Sequence, residues 1–384
     1  MWSLERLRIG TLGAARITPA ALIKPARHVP EVSVTVVAAR DPDRARQFAA
    51  KHGIPVVHAS YDALIADPGI DAIYNPLPNS LHAPWTLRAI EAGKHVLCEK
   101  PFTSNAAEAE RVAAAAKGSG LVVMEAFHYR YHPLARRMLD VVAGPDTGQV
   151  VTGPNTGQVV TGPDTGQVVT GPGTGQVVTG ADAVAEPRPA AGQGAAGELG
   201  ALRYLEAWVC SPLPRFSDIR YSFDLAGGAT MDVGCYAINC LRLLGPGEPQ
   251  VVEARAKLHG PYVDRAMTAS FRFPGGATGR MTASLWSSQV LRISVKAVGD
   301  RGVLRVLNFL APQVYNRLTV SANGYTRHER VRGEATYTYQ LRAFAAAVLR
   351  REPVITTPDD AVATMTVIDD VYRAAGLPLR AERG

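Results

Sequence analysis

Through the first 125 residues, short apolar runs rich in valine and isoleucine alternate with longer stretches whose apolar residues recur at helical spacing. The runs Leu7 to Leu12, Ser33 to Ala39, Asp71 to Asn75, the stretch ending at Cys98, and Leu121 to Glu125 predict strands. Between them, helices are predicted from the Gly13-Ala14-Ala15-Arg16 turn to just before Arg27, then over Pro42 to His52, Tyr61 to Asp67, Ala83 to Ala92 and Ala106 to Lys117. Strand alternating with helix in this way predicts a doubly wound parallel sheet. Pro101 cannot donate a ladder hydrogen bond, so the fourth strand stops before it. Glu99 and Lys100 are then left at the carboxyl edge, where open α/β sheets bind ligands.

The pattern changes after residue 125. Ala126 to Pro133 is an aromatic and basic segment that leaves the sheet, with Arg130 a candidate substrate contact, and a helix ends near Val142. Gly144 to Thr179 consists of four nearly identical nonapeptides, GPDTGQVVT, GPNTGQVVT, GPDTGQVVT and GPGTGQVVT. Each supplies a turn and only two valines for burial, so the repeat builds no core. Together with the Ala, Gly and Pro-rich stretch Gly180 to Gly197 it reads as an insertion, whose removal joins Val142 to Glu198 by a short connection.

Beyond it, Ala201 to Cys210 predicts a strand, and the segment Gly227 to Gly245 a helix ended by glycine. Alternating segments Val251 to Leu258, Met267 to Phe273, Thr278 to Ser284, Arg292 to Gly299, Gly302 to Val306 and Leu318 to Ser321 follow, with turns at Pro274-Gly275-Gly276 and Asn323-Gly324. They predict a largely antiparallel sheet, closed by helices over Tyr339 to Leu349 and Asp359 to Ala375. The expected fold is therefore α/β: a doubly wound sheet over residues 1–125 and an α+β domain over 126–384 with a large, mostly antiparallel open sheet, interrupted at 144–197. One face of that sheet packs on helices, and the other is expected to meet a second subunit in a homodimer or homotetramer.

Composition narrows the classes of function. A chain of 384 residues has room for about two cores. Its net charge of +7 is scattered rather than gathered in a basic tract, so an anionic cofactor or substrate explains it, and nucleic acid is not an expected partner. Cys98, Cys210, Cys235 and Cys240 lack paired metal-ligand spacing, which predicts no metal site and reduced thiols. No apolar run reaches membrane-spanning length and residues 1–8 hold no leader-like core, so a cytoplasmic protein without membrane contact is expected.

Candidate chemistry then concentrates at a few positions. Gly13 lets the backbone approach a pyrophosphate at a helix start, although Ala15 and Thr18 stand where the later glycines of the dinucleotide fingerprint fall. Arg40 at the tip of the second strand, with Arg44 behind it, suits a 2′-phosphate and favours NADP over NAD. Solvated Arg40 with Asp41 capping the helix is the alternative. Asn79 and His82 lie one helical turn apart after the third strand, so both can face one crevice, and Asn79 can equally be an N-cap. In the second domain Asp232, Tyr236, Asn239 and Leu243 fall in a narrow fan on a helix that is otherwise apolar apart from Arg242. Such a stripe should face a polar cavity, unless Tyr236 simply bonds a core acid.

Taken together, the Gly13 turn, Arg40-Asp41, Asn79-x-x-His82, Glu99-Lys100-Pro101, Glu125-Ala126-Phe127 and the segment Gly227 to Tyr236 resemble the Gfo/Idh/MocA oxidoreductases over nearly the whole chain outside 144–197. Tyr236, where many members carry histidine, is similar to the branch of dimeric dihydrodiol dehydrogenases, glucose-fructose oxidoreductase and related aldose dehydrogenases. The resemblance implies a Rossmann domain binding NADP, with NAD as the alternative. It also implies Lys100 and Tyr236 as a catalytic pair and Asp232 as a substrate contact, to which Arg130 and Asn239 are added as candidates. Gly13, Ala15, Arg16, Arg40, Arg44, Asn79, His82, Glu99 and Lys100 are the candidate cofactor residues. The implied reaction moves hydride between nicotinamide and a CH-OH or carbonyl group of a sugar, polyol or trans-dihydrodiol. A free tyrosine is a weak base at neutral pH, and the Lys100 ammonium is expected to favour its phenolate. A regulator that senses dinucleotide or sugar without turnover is the second reading; intact Lys100, Asp232 and Tyr236 weigh against it.

Overall fold

The computed structural model describes residues 6–145 and 197–381, so the repeat from residue 146 and the linker after it lie outside the described residues. The first domain runs β1 (Leu7–Leu12), a π-helical turn (Pro19–Ile23) leading into α1 (Lys24–Ala26), β2 (Val32–Ala38), α2 (Pro42–His52), β3 (Val56–His58), α3 (Tyr61–Ile65), β4 (Ala72–Asn75), α4 (His82–Glu91), β5 (His95–Cys98), α5 (Ala106–Ala116) and β6 (Val123–Glu125). Its six strands pair in parallel in the order β3-β2-β1-β4-β5-β6. The order reverses direction between β1 and β4, which opens a crevice at their carboxyl ends.

Local chemistry sets the element ends. Asp41 caps α2 by accepting from the amides of Asp43 and Arg44, Pro42 occupies the first helical position, and Gly53 ends the helix at φ 69°. Asn105 caps α5 in the same way. The helical turn is entered at Thr18 and Pro19 rather than directly after Gly13, because residues 13–17 form a turn of their own. β3 adds an edge strand that the apolar pattern does not announce.

The second domain runs α6 (Pro133–Ala143), β7 (Leu202–Cys210), a π-helical turn (Thr230–Gly234) continuing as α7 (Cys235–Leu244), β8 (Gln250–His259), β9 (Val263–Arg272), β10 (Thr278–Ser284), β11 (Arg292–Gly299), β12 (Gly302–Leu307), β13 (Arg317–Ala322), β14 (Tyr325–Glu329), α8 (Thr336–Arg350) and α9 (Pro358–Ala374). Its eight-stranded sheet has the order β14-β13-β12-β11-β7-β10-β9-β8 and is antiparallel except for the β7 and β10 pair. On central β7, Leu205, Ala207 and Val209 are buried under the helices, while Tyr204, Glu206 and Trp208 lie half-buried on the open face. β14 was not expected from the sequence pattern, and α8 starts three residues before the expected Tyr339.

The two domains share their interior. Leu341 and Phe344 of α8 sit in one apolar cluster with Leu7, Ile9 and Leu97 of the parallel sheet. At the end of β6, Glu125 N donates to Thr356 O (3.0 Å) and Thr356 Oγ1 donates to Glu125 O (2.7 Å). All four cysteines are buried and free. Among the described residues no helix is long and apolar enough to cross a membrane, and no cluster of His, Cys, Asp or Glu could hold a metal.

Candidate active site

β5 delivers Lys100 to the sheet edge, and the Lys100-Pro101 peptide bond is cis. His82 lies beneath this edge, 1% exposed, with Nδ1 2.8 Å from Pro101 O and Nε2 2.8 Å from Leu77 O. Burial pushes its pKa down to about 4 against the pull of the two carbonyls, so the neutral ring donates to one of them. Glu99 is also buried and accepts from the Tyr74 hydroxyl at 2.7 Å. Both residues therefore shape the strand end rather than face the crevice.

From the second domain, the π-helical turn brings Asp232 over Lys100. Lys100 Nζ donates to Asp232 O (2.8 Å) and Oδ1 (3.2 Å) and lies 4.9 Å from the centre of the Tyr236 ring. The side chains of Lys100 and Asp232 are 14% and 20% exposed, and Tyr236 is 7% exposed. Arg220, from the loop after β7, takes the other carboxylate oxygen of Asp232 at 3.0 Å, and its Nη1 lies 3.1 Å from Asp218 Oδ1. Asp218 in turn lies 3.8 Å from Arg16. Arg220 and Asp218 belong to a loop without periodicity, so no pattern in the sequence singled them out.

Burial alone would lower the Lys100 pKa, but Asp232, foremost among the nearby acidic groups, holds the ammonium above its ordinary value. Asp232 is raised by burial but held below the usual carboxylate range by Lys100 and Arg220. Burial pushes Tyr236 well above the ordinary phenol value, and Tyr337, Glu99, Cys235 and Asp232 push it the same way. The phenol is thus protonated in the free site, whereas the sequence led to an expected phenolate beside Lys100; Lys100 Nζ donates to Asp232 and lies over the Tyr236 ring. The hydroxyl instead pairs with His128 Nε2 at 3.0 Å. His128 lies in the aromatic segment after β6, where no spacing or motif marks it as a site residue.

Two candidate substrate residues are not brought to this site. Asn239 is 0% exposed, accepting from the Tyr129 hydroxyl at 2.6 Å and facing Thr364 Oγ1 at 3.4 Å. It lies one turn deeper along α7, past the rim of the crevice. Arg130 pairs with Asp360 at 3.2 Å, beside buried Arg242, which also holds Asp360. Asn79 donates to Ala226 O at 2.9 Å and ties the two domains together beside the crevice.

The residues at the first turn fit a dinucleotide. Gly13 has φ +80°, and a Cβ there would meet Leu77 at 3.2 Å, so only glycine leaves the turn undistorted and open. Ala15 is half-buried and Arg16 exposed on this turn. Arg44 donates to Ala14 O at 2.9 Å, binding α2 to the turn, and Arg40 is exposed at the tip of β2. Asp41 Oδ1 accepts from the α2 amides of Asp43 and Arg44. The tip therefore sets the exposed Arg40 beside a carboxylate that is partly engaged by its own helix.

Comparison with known proteins agrees with this geometry. Residues 7–127 match the Gfo/Idh/MocA oxidoreductase family, NAD-binding Rossmann fold, and residues 193–305 match the C-terminal domain of the same family. A D-xylose 1-dehydrogenase (NADP(+)) of Haloferax volcanii is 31% identical, covering 96% of this chain and 97% of that protein. The trans-1,2-dihydrobenzene-1,2-diol dehydrogenase of Mus musculus is 28% identical over 73% of this chain and 68% of its own. The 3-ketoreductase KijD10 of Actinomadura kijaniata, solved in complex with NADP and TDP-benzene, superposes with a TM-score of 0.74 at 25% identity, covering 96% and 98% of the two chains. The two matched domains, with a full-length relative above 30% identity, place the chain in the Gfo/Idh/MocA family of oxidoreductases.

Proposed function

We propose that the chain is an NADP-dependent oxidoreductase that moves hydride between nicotinamide and a CH-OH or carbonyl group of a sugar, polyol or trans-dihydrodiol. Lys100 and Tyr236 act on the reacting oxygen. The observation that carries this reading is the meeting of Lys100 and Tyr236, from different domains, at 4.9 Å in a nearly buried crevice. The nicotinamide, when bound, supplies or accepts the hydride. Arg40 and Arg44 are proposed for the 2′-phosphate, because Arg40 is exposed at the tip of β2 with Arg44 one turn behind it, and Asp41 caps α2 through one of its oxygens. The Haloferax relative, a D-xylose 1-dehydrogenase (NADP(+)), and the Actinomadura relative, solved in complex with NADP, support this choice.

Protonated Tyr236 suits the role of donor to a carbonyl oxygen during reduction, and it takes the proton back when an alcohol is oxidised. Lys100, kept charged by Asp232, is placed to stabilise negative charge developing on that oxygen. Asp232 then serves first as the anchor of Lys100, and a substrate hydroxyl must share it. The open sheet face is the proposed contact of a homo-oligomer, to be checked by light scattering.

Aldoses including D-xylose, inositols and trans-dihydrodiols, screened with NADP and NAD in parallel, test the reading. Tyr236→Phe and Lys100→Met should each lower turnover at least about a hundredfold, with NADPH binding retained in Tyr236→Phe. Near-normal rates would refute the assignment.

A further inference from the structure

The phenol and the ammonium of this site do not share a hydrogen bond; the Tyr236 hydroxyl is held by His128 instead. His128 is 5% exposed, its Nδ1 is 2.8 Å from Thr336 Oγ1, and its ring lies 4.1 Å from that of Tyr337. The titratable groups around this pair include Tyr74 from β4, Glu99 and Lys100 from the β5 edge, Tyr129 beside His128, Asp232 from the π-helical turn, Cys235 from the start of α7, and Tyr337 from α8. Burial, with Lys100 adding to it, pushes the His128 pKa down to about 3, so the ring is neutral at working pH and carries one N-H.

That single proton decides what Tyr236 can do. If it sits on Nδ1, the phenol must donate to Nε2 and cannot donate to a substrate. If it sits on Nε2, the imidazole donates to the phenol oxygen and the phenol proton is free to enter the crevice. Thr336 can satisfy Nδ1 in either case, because a hydroxyl both donates and accepts. We propose that His128 is a positioning residue in its Nε2-H tautomer, with Thr336 donating to Nδ1. It aims the Tyr236 proton at the substrate oxygen and then stabilises the phenolate left behind.

This inference rests on the proposed role of Tyr236 as proton donor. In reduction the hydride from NADPH forms the new C-H bond, and the carbonyl oxygen gains its proton as the Tyr236 O-H bond breaks. The phenolate recovers a proton from water as product leaves, and His128 neither gains nor loses one.

The test uses the full chain. His128→Phe keeps a ring but removes the donor, and His128→Gln offers an amide N-H in its place. The ¹⁵N shifts of labelled histidine in the cofactor-free protein, with His128 assigned by its loss in the Phe variant, should report the Nε2-H tautomer. With the best substrate of the panel, His128→Phe should lower kcat about 10–100-fold with KM little changed. The rise of alcohol oxidation with pH, which follows phenolate formation, should move upward by about one pH unit or more. His128→Gln should recover part of both effects. An Nδ1-H tautomer would overturn the proposal. So would a wild-type kcat and pH profile in His128→Phe, or equal losses in both variants with lowered thermal stability and an unmoved pH profile, which is the signature of packing alone. The tautomer is read without cofactor or turnover, so it tests His128 even where an active Tyr236→Phe protein removes the proton-donor reading.

Discussion

Arg380→Met probes the anchor of the segment that carries Asp232 and Tyr236. Arg380 and Asp264 are both 0% exposed and 2.9 Å apart. Asp264 also accepts from Thr230 N (2.7 Å), Thr230 Oγ1 (2.6 Å) and the Tyr372 hydroxyl (3.0 Å), while Arg380 Nε donates to Gly227 O at 2.7 Å. Thr230 opens the π-helical turn, so this buried pair fixes the root of the site. Removing only the cation strands a carboxylate in the interior, a loss of about 3–5 kcal/mol. Adding Asp264→Asn keeps an oxygen for Thr230 without the stranded charge and should recover about half of that. Burial already raises the Asp264 pKa in the intact pair, and loss of Arg380 raises it further. Between the unfolded carboxyl pKa of about 3.9 and this raised value, the native variant binds more protons than the unfolded chain, so its stability falls as pH rises. Denaturant unfolding at several pH values should therefore show a deficit that shrinks on acidification. Turnover should fall while NADPH binding persists. A deficit below about 1 kcal/mol, or one that grows on acidification, would refute the reasoning.

Arg40→Ala should weaken NADPH binding about 10–100-fold, the scale of a lost charge-assisted contact, with NADH nearly unaffected; equal losses would remove the 2′-phosphate role. Arg220→Met frees one oxygen of Asp232 and raises its pKa, so the acid limb of activity should move to higher pH, which a pH-rate profile reads directly. An unmoved limb would show that Arg220 does not tune the carboxylate. Deleting residues 146–196 should leave the melting temperature and turnover nearly unchanged, because Gly197 already packs on Val142, whose carbonyl oxygen leaves no room for a Cβ there. Loss of folding would refute the insertion reading.

The parts of the site that were legible in the sequence are those set by backbone rules. Pro101 marked the strand end that presents Lys100, and helical periodicity aligned Asp232 with Tyr236. The same periodicity misplaced Asn239, because it gives direction around a helix and not depth along it: one turn beyond Tyr236, Tyr129 and Thr364 close over the stripe. His82 failed for another reason. Asn79–Leu81 is a 3-10 turn, so the α-helical angle between Asn79 and His82 does not apply, and the ring turns inward to Pro101. β3 and β14 left no apolar run to read: β3 is three residues long with none of them buried, and Tyr325, Thr326, Arg327 and His328 of β14 are exposed.

The electrostatics of the site follow from an alternation of charge that no local pattern announces. Arg16, Asp218, Arg220, Asp232 and Lys100 form a chain from the first turn of the Rossmann domain, through the second domain, to the edge of β5. Every cation in it has a carboxylate neighbour, and burial, with Tyr337, Glu99, Cys235 and Asp232 adding to it, holds the Tyr236 phenol above its ordinary pKa. Tyr236 therefore stays protonated, Lys100 stays charged and Asp232 stays ionised, while His82 and His128 are already neutral above about pH 5. With each of these groups in one protonation state, carbonyl reduction should be nearly flat between about pH 5 and 9 under saturating NADPH. A bell-shaped profile inside that window would mean that substrate or cofactor redistributes the charge chain, and that the acid is not Tyr236 in the state described.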